Sequence, residues 1–182
     1  INVQNKIDGI SDEIDQFYFI YALLHSRKYR VEYQSELVKE YPRIPKDLKD
    51  LNKFIRIGKK LAELHLNYEN LPCTDEVQVI MNENASYYVK EMKFKNKQDL
   101  SVIVFNDDIE IRNIPLNAYE YKVNGKSAIH WIMDQYKVVN DLKTGIVDNP
   151  NKYSENEKYI FELLLKIIYL STKSMELIEE LD

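Results

Sequence analysis

Cysteine, glycine and proline are scarce in this chain, which has one, four and five of them among 182 residues. The single cysteine, Cys73, excludes an internal disulfide and a zinc site built from several thiolates. So few glycines and prolines exclude collagen-like segments and long disordered linkers. The longest apolar run, residues 161–170, is broken by Lys166 and falls short of the roughly 18–20 residues of a membrane span. We therefore expect a cytoplasmic protein without a membrane partner.

Motifs of self-contained active sites are missing too. The sequence has no GxxxxGKS or GxxxxGKT, no GxGxxG and no GxSxG, which argues against a nucleotide-binding or hydrolase domain. The histidines, His25, His65 and His130, lie far apart and lack the spacing of metal-binding pairs. Cys73 has no sequence neighbour that would activate a thiol. We expect no catalytic residue, metal ligand or cofactor here, and the first residue, Ile1, predicts a piece of a longer polypeptide.

The charge is unevenly distributed along the chain. The formal net charge is −5, yet residues 27–60 hold 11 basic and 5 acidic side chains, a local charge of +6. Residues 154–182 hold 3 basic and 7 acidic side chains, a local charge of −4. A basic region on an acidic chain acts as a directed electrostatic surface rather than as an indiscriminate binder of polyanions.

The first third of the sequence has the pattern of three helices. Ser11 is a candidate N-cap for a helix over residues 12–25, and Ser26 is a candidate N-cap for the next. The prolines of segment 41–45 end that second helix, because a residue before proline avoids helical geometry. A third, amphipathic helix is predicted over residues 46–65.

The middle of the chain changes to short segments rich in Val, Ile, Tyr and Phe. They predict strands over residues 76–81, 86–94, 100–105 and 108–114. Helices return over residues 126–136 and from a capping-box pattern at 154–157 to the C-terminus. This order predicts an α+β fold with N-terminal helices, a central, mostly antiparallel sheet of short strands, and C-terminal helices. The length fits one domain spanning residues 1–182.

The third predicted helix carries a second pattern besides its apolar face. Basic residues recur at intervals of 3, 4, 3 and 4: Lys46, Lys49, Lys53, Arg56 and Lys60. At about 100° per residue they form one stripe, roughly opposite the apolar residues. Such a stripe either follows a phosphate backbone or is the solvated face of an amphipathic helix. Spacing alone does not decide between the two.

The segment YKVNGKSAIHWIMDQY (121–136) is a candidate ligand site. Asn124 and Gly125 predict a tight turn, after which Asn124 or Ser127 caps a helix. The amides at that helix start, with Lys126 beside them, are suited to bind a phosphate. A turn, a cap and a core helix also explain the pattern without any ligand.

A weaker pattern involves two acidic residues and a lysine. Asp75, followed by Glu91 and Lys93, has the loose outline of a Mg²⁺-dependent nuclease site. In a chain with 30 acidic residues, an acid two positions before a lysine is expected several times by chance. This outline is therefore a minor alternative.

Four ordered segments resemble a known family. They are FYFIYALLHSRKYRVEYQSELVKEYPRIP (17–45), GKKLAELHLNYE (58–69), IRNIPLNAYEYKVNGKSAIHWIMDQY (111–136) and TGIVDNPN (144–151). Together they resemble the C-terminal specificity domain, or target-recognition domain, of type ISP restriction–modification enzymes. The resemblance runs from about residue 17 to the end of the chain and is least distinct in the central strands.

The resemblance implies that this chain is one part of a long polypeptide. In that family a nuclease, a helicase-like ATPase, a coupler and an adenine methyltransferase precede the specificity domain. The implied role is non-catalytic: the domain reads a short asymmetric sequence in double-stranded DNA and presents the adenine to the methyltransferase. The resemblance also implies that the upstream domains bind AdoMet, ATP and Mg²⁺. DNA, the methyltransferase and the coupler are the implied partners.

Target recognition needs contacts to the DNA backbone, which set the register, and contacts to base edges, which carry sequence information. The predicted backbone contacts are Arg27, Lys28, Arg30, Arg43, Lys46, Lys49, Lys53 and Arg56. The predicted base or phosphate contacts are Asn124, Lys126, Ser127 and His130, with a second group of Lys143, Asn149 and Asn151. Asn pairs well with adenine, and Lys with guanine. Members of one family read different targets, so the segments that they share should support the fold or contact the DNA backbone. In that case the loops at residues 82–88 and 93–99 are the alternative candidates for contacts with bases.

Two other functions stay open at this point. The Tyr-rich helices and the acidic C-terminal helix suit a scaffold that docks to the methyltransferase or coupler and contacts DNA little. The other is a small nuclease that uses Asp75, Glu91 and Lys93.

Overall fold

The computed structural model describes residues 7–37, 44–45 and 50–182. Its helices are α1 (Glu13–His25), α2 (Arg27–Glu32), α3 (Gln34–Leu37), α4 (Leu51–Leu66), α5 (Ala128–Gln135) and α6 (Tyr159–Leu181). Its strands are β1 (Gln78–Met81), β2 (Lys93–Asn96), β3 (Asp99–Val104), β4 (Ile109–Arg112), β5 (Lys122–Val123), β6 (Lys126–Ser127), β7 (Val139–Asn140) and β8 (Val147–Asp148). Helices near both ends and short antiparallel strands between them confirm the predicted α+β fold.

Two compact units divide the chain. The first holds residues up to Asn67 together with Glu176–Asp182, and the second holds Tyr68–Met175. Helix α6 contributes to both, because its residues up to Met175 belong to the second unit and its last turns to the first. That residues 1–182 act as one domain stays a prediction. Of the helices that the structure describes, none is long and apolar enough to cross a membrane.

Helices α1 and α4 build the core of the first unit. Phe19 and Leu23 of α1 are buried in one cluster with Ile57 and Leu61 of α4. Gly58 lies where the two backbones approach closely, since a Cβ atom at this position would be 1.9 Å from the carbonyl oxygen of Tyr18 in α1. Only a residue without a Cβ atom permits this approach.

The helix starts follow the predicted signals in part. Asp12 rather than Ser11 caps α1, because its Oδ1 accepts hydrogen bonds from the N–H groups two and three residues on, at 2.8 and 2.9 Å. Ser26 caps α2 as predicted, through its Oγ and the N–H group three residues on. Helix α4 begins at Leu51, and the predicted first turn over residues 46–49 lies outside the described residues.

Helix α6 begins later than the capping-box pattern indicated. The pattern at 154–157 predicted a helix directly behind Ser154, whereas the first helical residue is Tyr159. Asn156 organises the approach instead: its Oδ1 accepts from the N–H of Lys158 at 3.0 Å, and its Nδ2 donates to Glu162 at 3.2 Å. Asn and Ser side chains both accept hydrogen bonds from nearby backbone N–H groups. The sequence pattern was therefore compatible with a helix start behind Ser154 and with the observed start at Tyr159.

A four-stranded antiparallel sheet in the order β1-β4-β3-β2 is central to the second unit. Ile103 of β3 pairs with Ile111 of β4, and both side chains are fully buried. They share one hydrophobic cluster with Ile129 of α5 and with Leu164 and Ile168 of α6. The apolar alternation of the strands and the apolar face of α6 therefore meet in one core.

The strand predicted over residues 86–94 is wrong for most of its length. Strand β2 includes only the last two of these residues and continues to Asn96. Val89 and Met92 are nevertheless buried, so the apolar residues that suggested a strand belong to the core. Loop partners such as Asn106 and Asn151 take up the backbone hydrogen bonds that a neighbouring strand would otherwise take.

Candidate nucleic-acid interface

The basic stripe is present in the described part of α4. Arg56 and Lys60 are exposed and Lys53 is half-buried, while Ile57 and Leu61 of the same helix are buried. Three predicted backbone contacts lie outside the described residues: Arg43, Lys46 and Lys49. The helix thus places at least three cations along one side, as their spacing indicated.

Acidic residues at the end of α6 lie beside this stripe. Arg56 forms an ion pair with Glu180, and Arg27 lies 3.7 Å from Glu179. The hydrogen bond from Arg56 holds the pKa of Glu180 below its usual value, and the charges of Lys60 and Lys53 add to this. The basic and acidic regions, far apart in sequence, are therefore neighbours in the first unit and partly neutralise each other.

The side chain of Asp182 lies at the N-terminus of α2. It accepts hydrogen bonds from the Ser26 hydroxyl at 2.8 Å, and from the N–H groups of Arg27 at 3.1 Å and Lys28 at 3.4 Å. A carboxylate thus already stabilises the helix start at which a phosphate would otherwise bind. Contacts of Arg27, Lys28 and Arg30 with DNA would therefore have to come from their side chains.

Asn124 and Gly125 connect the two-stranded hairpin β5–β6. Both have positive φ angles, 51° and 82°, which confirms the predicted tight turn. The hairpin itself was not predicted, because each strand is only two residues long. The indole N–H of Trp131 donates to the carbonyl of Val123 at 2.8 Å and thereby ties this hairpin to α5.

Lys126 is engaged within the same segment. Its Nζ pairs with Asp134 and lies 5.2 Å from the ring centre of Trp131. The ammonium group therefore points along α5 and neutralises a carboxylate of that helix. Phosphate binding by Lys126 stays a prediction, and it would have to compete with this pair.

Ser127 and His130 close the N-terminus of α5. The Ser127 Oγ accepts from the N–H of His130 at 3.2 Å and lies 2.6 Å from its Nδ1. The imidazole packs near the rings of Phe94 and Tyr119, with centres 5.2 and 5.6 Å away. Burial lowers the pKa of His130, and the charge of Lys126 lowers it further. A neutral, packed His130 fits a framework residue, while its predicted contact with DNA stays a prediction.

Asn149 and Asn151 hold the chain behind the second hairpin, β7–β8. Asn151 accepts from the N–H of Val89 at 2.9 Å and donates to its carbonyl at 2.8 Å, as a neighbouring strand would. Asn149 Oδ1 accepts from both the backbone and the side-chain nitrogen of Asn151, at 3.1 and 2.8 Å. Both amide hydrogens of Asn151 are thus used inside the protein, so its predicted base contact would require these bonds to break. Lys143, by contrast, is exposed at the tip of the hairpin.

The turn between β3 and β4 contains framework residues that sequence reasoning missed. Asn106 Nδ2 donates to the carbonyls of Ser86 and Tyr88 at 2.6 and 3.0 Å. Asp108 accepts from the side chain of Asn82 at 3.0 Å and from the N–H of Ser86 at 3.1 Å. Together they fix loop 82–88, one of the alternative base readers. The signal was the run Asn-Asp-Asp in the turn, since such side chains often bind nearby backbone.

Two histidines that are 40 positions apart in sequence come together in the first unit. The ring centres of His25 and His65 lie 5.4 Å apart, and the Tyr21 hydroxyl is 2.6 Å from the Nδ1 of His65. Burial lowers the pKa of both rings, that of His65 to about 4. The two imidazoles are therefore neutral at pH 7. Within residues 7–37, 44–45 and 50–182, no group of three His, Cys, Asp or Glu side chains is placed to hold a metal ion.

Two of the three residues of the nuclease outline bind each other. Glu91 and Lys93 form an ion pair at 3.0 Å, and this hydrogen bond is the main reason why the pKa of Glu91 is lowered. Lys137 and Lys90 lower it further. Three lysines thus act electrostatically on the Glu91 carboxylate just before β2.

The family of the chain follows from its sequence profile. A family model described as the type ISP C-terminal specificity domain matches residues 3–163. The chain belongs to this family. This confirms the resemblance that the four segments carried.

Solved structures agree with this assignment to the type ISP specificity domains. The ATP-dependent type ISP enzyme LlaBIII bound to DNA is 47% identical, with a TM-score of 0.89 over 99% of this chain. A nuclease-deletion mutant of the type ISP enzyme LlaGI, in complex with a DNA substrate mimic, is 49% identical, with a TM-score of 0.85 over 97%. The DrdV–DNA complex, at 22% identity and a TM-score of 0.78 over 94% of this chain, shows the same fold.

The chain spans only a small part of the length of those proteins. The chain spans 12% of the LlaBIII chain, 17% of the LlaGI chain and 18% of the DrdV chain. A comparison with curated proteins gives no match.

Proposed function

We propose that this chain is the non-catalytic sequence-reading domain of a restriction–modification enzyme. In this proposal it binds double-stranded DNA and positions the target adenine for a methyltransferase in the same polypeptide. The observation that carries the proposal is that two proteins 47% and 49% identical to it, over nearly its whole length, were solved with DNA or a DNA mimic. AdoMet, ATP and Mg²⁺ would act in other parts of that polypeptide.

The described side of α4 supports a backbone contact. Lys53, Arg56 and Lys60 lie on one helix face, where each ammonium or guanidinium group can neutralise one phosphate. Glu180 forms an ion pair with Arg56 and interacts electrostatically with Lys60 and Lys53, so DNA has to compete with this carboxylate. A non-specific affinity that is weak and strongly dependent on salt is the expected result.

Salt dependence tests this proposal directly. The affinity of the chain for a fluorescein-labelled duplex of mixed sequence is measured by anisotropy over a range of salt concentrations. The substitutions Lys53→Gln and Lys60→Gln together should weaken binding and reduce the slope of log K against log salt by about 1.8, at about 0.9 for each phosphate contact. Arg56 and its pair with Glu180 stay intact in this variant, so the fold is expected to be preserved.

The matched control removes two lysines from the acidic region. Lys158 lies over the ring of Tyr87, and Lys173 pairs with Glu76 at 3.3 Å. Changing both to Gln should leave the salt slope unchanged. If the parent chain has no affinity for DNA even at low salt, the proposed function is refuted for this chain.

A docking scaffold is the second candidate, and one observation favours it. Helix α1 has apolar residues on more than one side. One side packs on α4, while Ile14 and Phe17 on the other side are exposed. An exposed apolar helix face often marks a protein contact. If Ile14→Ser with Phe17→Ser abolishes binding to the methyltransferase and coupler while DNA affinity is unchanged, this face is the docking surface.

A further inference from the structure

The hairpin β7–β8 has a turn that is held by its own backbone and one carboxylate. Asp141 Oδ1 accepts from the N–H of Lys143 at 2.8 Å, and the Asp141 carbonyl accepts from the N–H of Gly145 at 2.8 Å. The N–H of Asp141 donates to the carbonyl of Ile146 at 2.9 Å. Gly145 has a φ of 70°, which closes the turn. These bonds give the tip one defined shape.

The root of the hairpin is fastened on both strands. On the first strand, the N–H of Val138 donates to the carbonyl of Lys90 at 2.8 Å. On the second, the hydroxyl of Tyr153 donates to Asp148 at 2.5 Å, and Asn151 pairs with the segment beside Lys90. The hairpin is therefore a projection fixed at its base rather than a loose loop.

This projection carries several exposed apolar side chains. Leu142 is 97% exposed, Ile146 65% and Val147 60%. A single exposed leucine needs no explanation, but with Val139 at 45% the ten-residue hairpin has four exposed aliphatic side chains. They form a patch that nothing in the second unit covers within the described residues. Because these side chains contribute no burial to folding, the patch indicates a contact with another molecule.

The root of the hairpin is positively charged. Lys90, Lys93 and Lys137 act electrostatically on Glu91, and with Asp148 at the base of the hairpin these five residues have one positive charge in excess. The hairpin's own acids keep their formal charge although they are hydrogen-bonded, Asp141 in the turn and Asp148 to a tyrosine hydroxyl, and Lys143 at the tip offsets one of them. A tip with exposed aliphatic side chains and one lysine, above a root with an excess of lysines, matches the major groove of DNA, where base edges lie between two phosphate backbones.

We infer that residues 139–148 form a ribbon that enters the major groove, where Leu142 and Ile146 contact base edges and the lysines of the root contact phosphates. A two-stranded β-ribbon fits the width of that groove, and the base-edge group suited to an aliphatic side chain is the methyl group of thymine. The inference rests on the proposed function. It goes further by assigning part of the sequence readout to apolar side chains instead of the amides of Asn149 and Asn151.

The position of the tip on DNA is tested with a fluorophore. In a Cys73→Ser background, Leu142→Cys is labelled with an environment-sensitive dye, and iodide quenching is measured with and without a duplex of mixed sequence. Leu116→Cys, at another leucine of the second unit that is 63% exposed, is the control. DNA should reduce quenching at position 142 severalfold and leave position 116 unchanged.

The contact with thymine is tested by removing its methyl group. Duplexes bound by the 182-residue chain are enriched from a randomised pool, and the best sequence is remade with uracil in place of thymine. The parent should lose about fourfold in affinity for each contacted methyl group, at about 0.8 kcal/mol each. The variant Leu142→Ala with Ile146→Ala should bind the thymine duplex more weakly and lose its response to uracil, whereas Leu116→Ala should behave as the parent.

The outcomes separate this inference from the proposed function. If the chain binds DNA but the dye at position 142 stays as accessible as before, the inference is overturned and the proposed function stands. If the remainder of the enzyme, which contains the methyltransferase, protects the dye from iodide and DNA does not, the tip is a protein interface. This result would also overturn the inference. If no DNA binds at any salt concentration, both fail together.

Discussion

The substitution Gly58→Ala tests the close approach of helices α1 and α4 in the first unit. The new Cβ atom would lie 1.9 Å from the Tyr18 carbonyl oxygen and 2.7 Å from its carbonyl carbon. Ordinary contacts begin at 3.4 Å, so the oxygen and the Cβ atom would have to separate by a further 1.5 Å. Both atoms belong to the backbone or are attached to it directly, so no side-chain rotation can relieve the clash and α1 has to move away from α4.

The expected loss is the difference between two effects. Overpacking a core costs about 1–3 kcal/mol, and a backbone clash belongs at the upper end of that range. Replacing glycine by alanine within a helix returns about 1 kcal/mol. We therefore expect a net loss of about 2 kcal/mol in the free energy of unfolding and a melting temperature lower by about 4–8 °C.

Urea denaturation followed by circular dichroism measures this loss. Lys59→Ala, one position further along the same helix at an exposed side chain, is the control and should stay within about 0.5 kcal/mol of the parent. A Gly58→Ala variant as stable as the parent, or more stable, would refute the close approach of α1 and α4.

Other predictions concern pH, charge and the framework. Burial holds the pKa of His65 at about 4 in the folded chain, whereas the usual value is 6.5. As the pH falls from 6.5 to 4, the unfolded chain therefore binds a proton that the folded chain does not, and the folded state loses stability. Urea titrations should show that the free energy of unfolding falls by about 2 kcal/mol between pH 7 and pH 4, after allowance for solvent screening. The variant His65→Gln should not show this fall. Glu180→Gln releases Arg56 from its carboxylate, so DNA affinity at low salt should rise about two- to fivefold in anisotropy titrations, and a fall would remove this face from the interface. Asn106→Ala should cost about 2–3 kcal/mol of unfolding free energy, measured in urea, because it leaves loop carbonyls without their donor. The exposed Asn84→Ala should have no such effect.

Local signals predicted most of the elements. The Ser26 cap, the turn at Asn124 and Gly125, and the α+β order depend on neighbouring residues, so they are visible in the sequence. The strand predicted at 86–94 was wrong because buried Val89 and Met92 gave a strand-like pattern in a segment that pairs with loop side chains. Alternation reports burial, and burial does not require a sheet partner.

Some features of the candidate site were predictable from the sequence, and others were not. The spacing of Lys53, Arg56 and Lys60 placed them on one face of α4 without any structure. The sequence could not show that Glu180 lies beside them, because the pair joins residues 124 positions apart. Asn151 looked like a base reader because Asn is suited to adenine, and only its bonds to Val89 show how its amide is used.

The sequence by itself determined the family, the fold class and the absence of familiar catalytic motifs, since these depend on residue identity and short spacing. Only the tertiary structure decided which charges neutralise one another, which polar side chains are used up as framework, and which apolar ones are left exposed on the hairpin. The physical reason is that hydrogen bonds, ion pairs and burial are properties of neighbours in space. The chain brings those neighbours together from positions whose distance in sequence carries no signal.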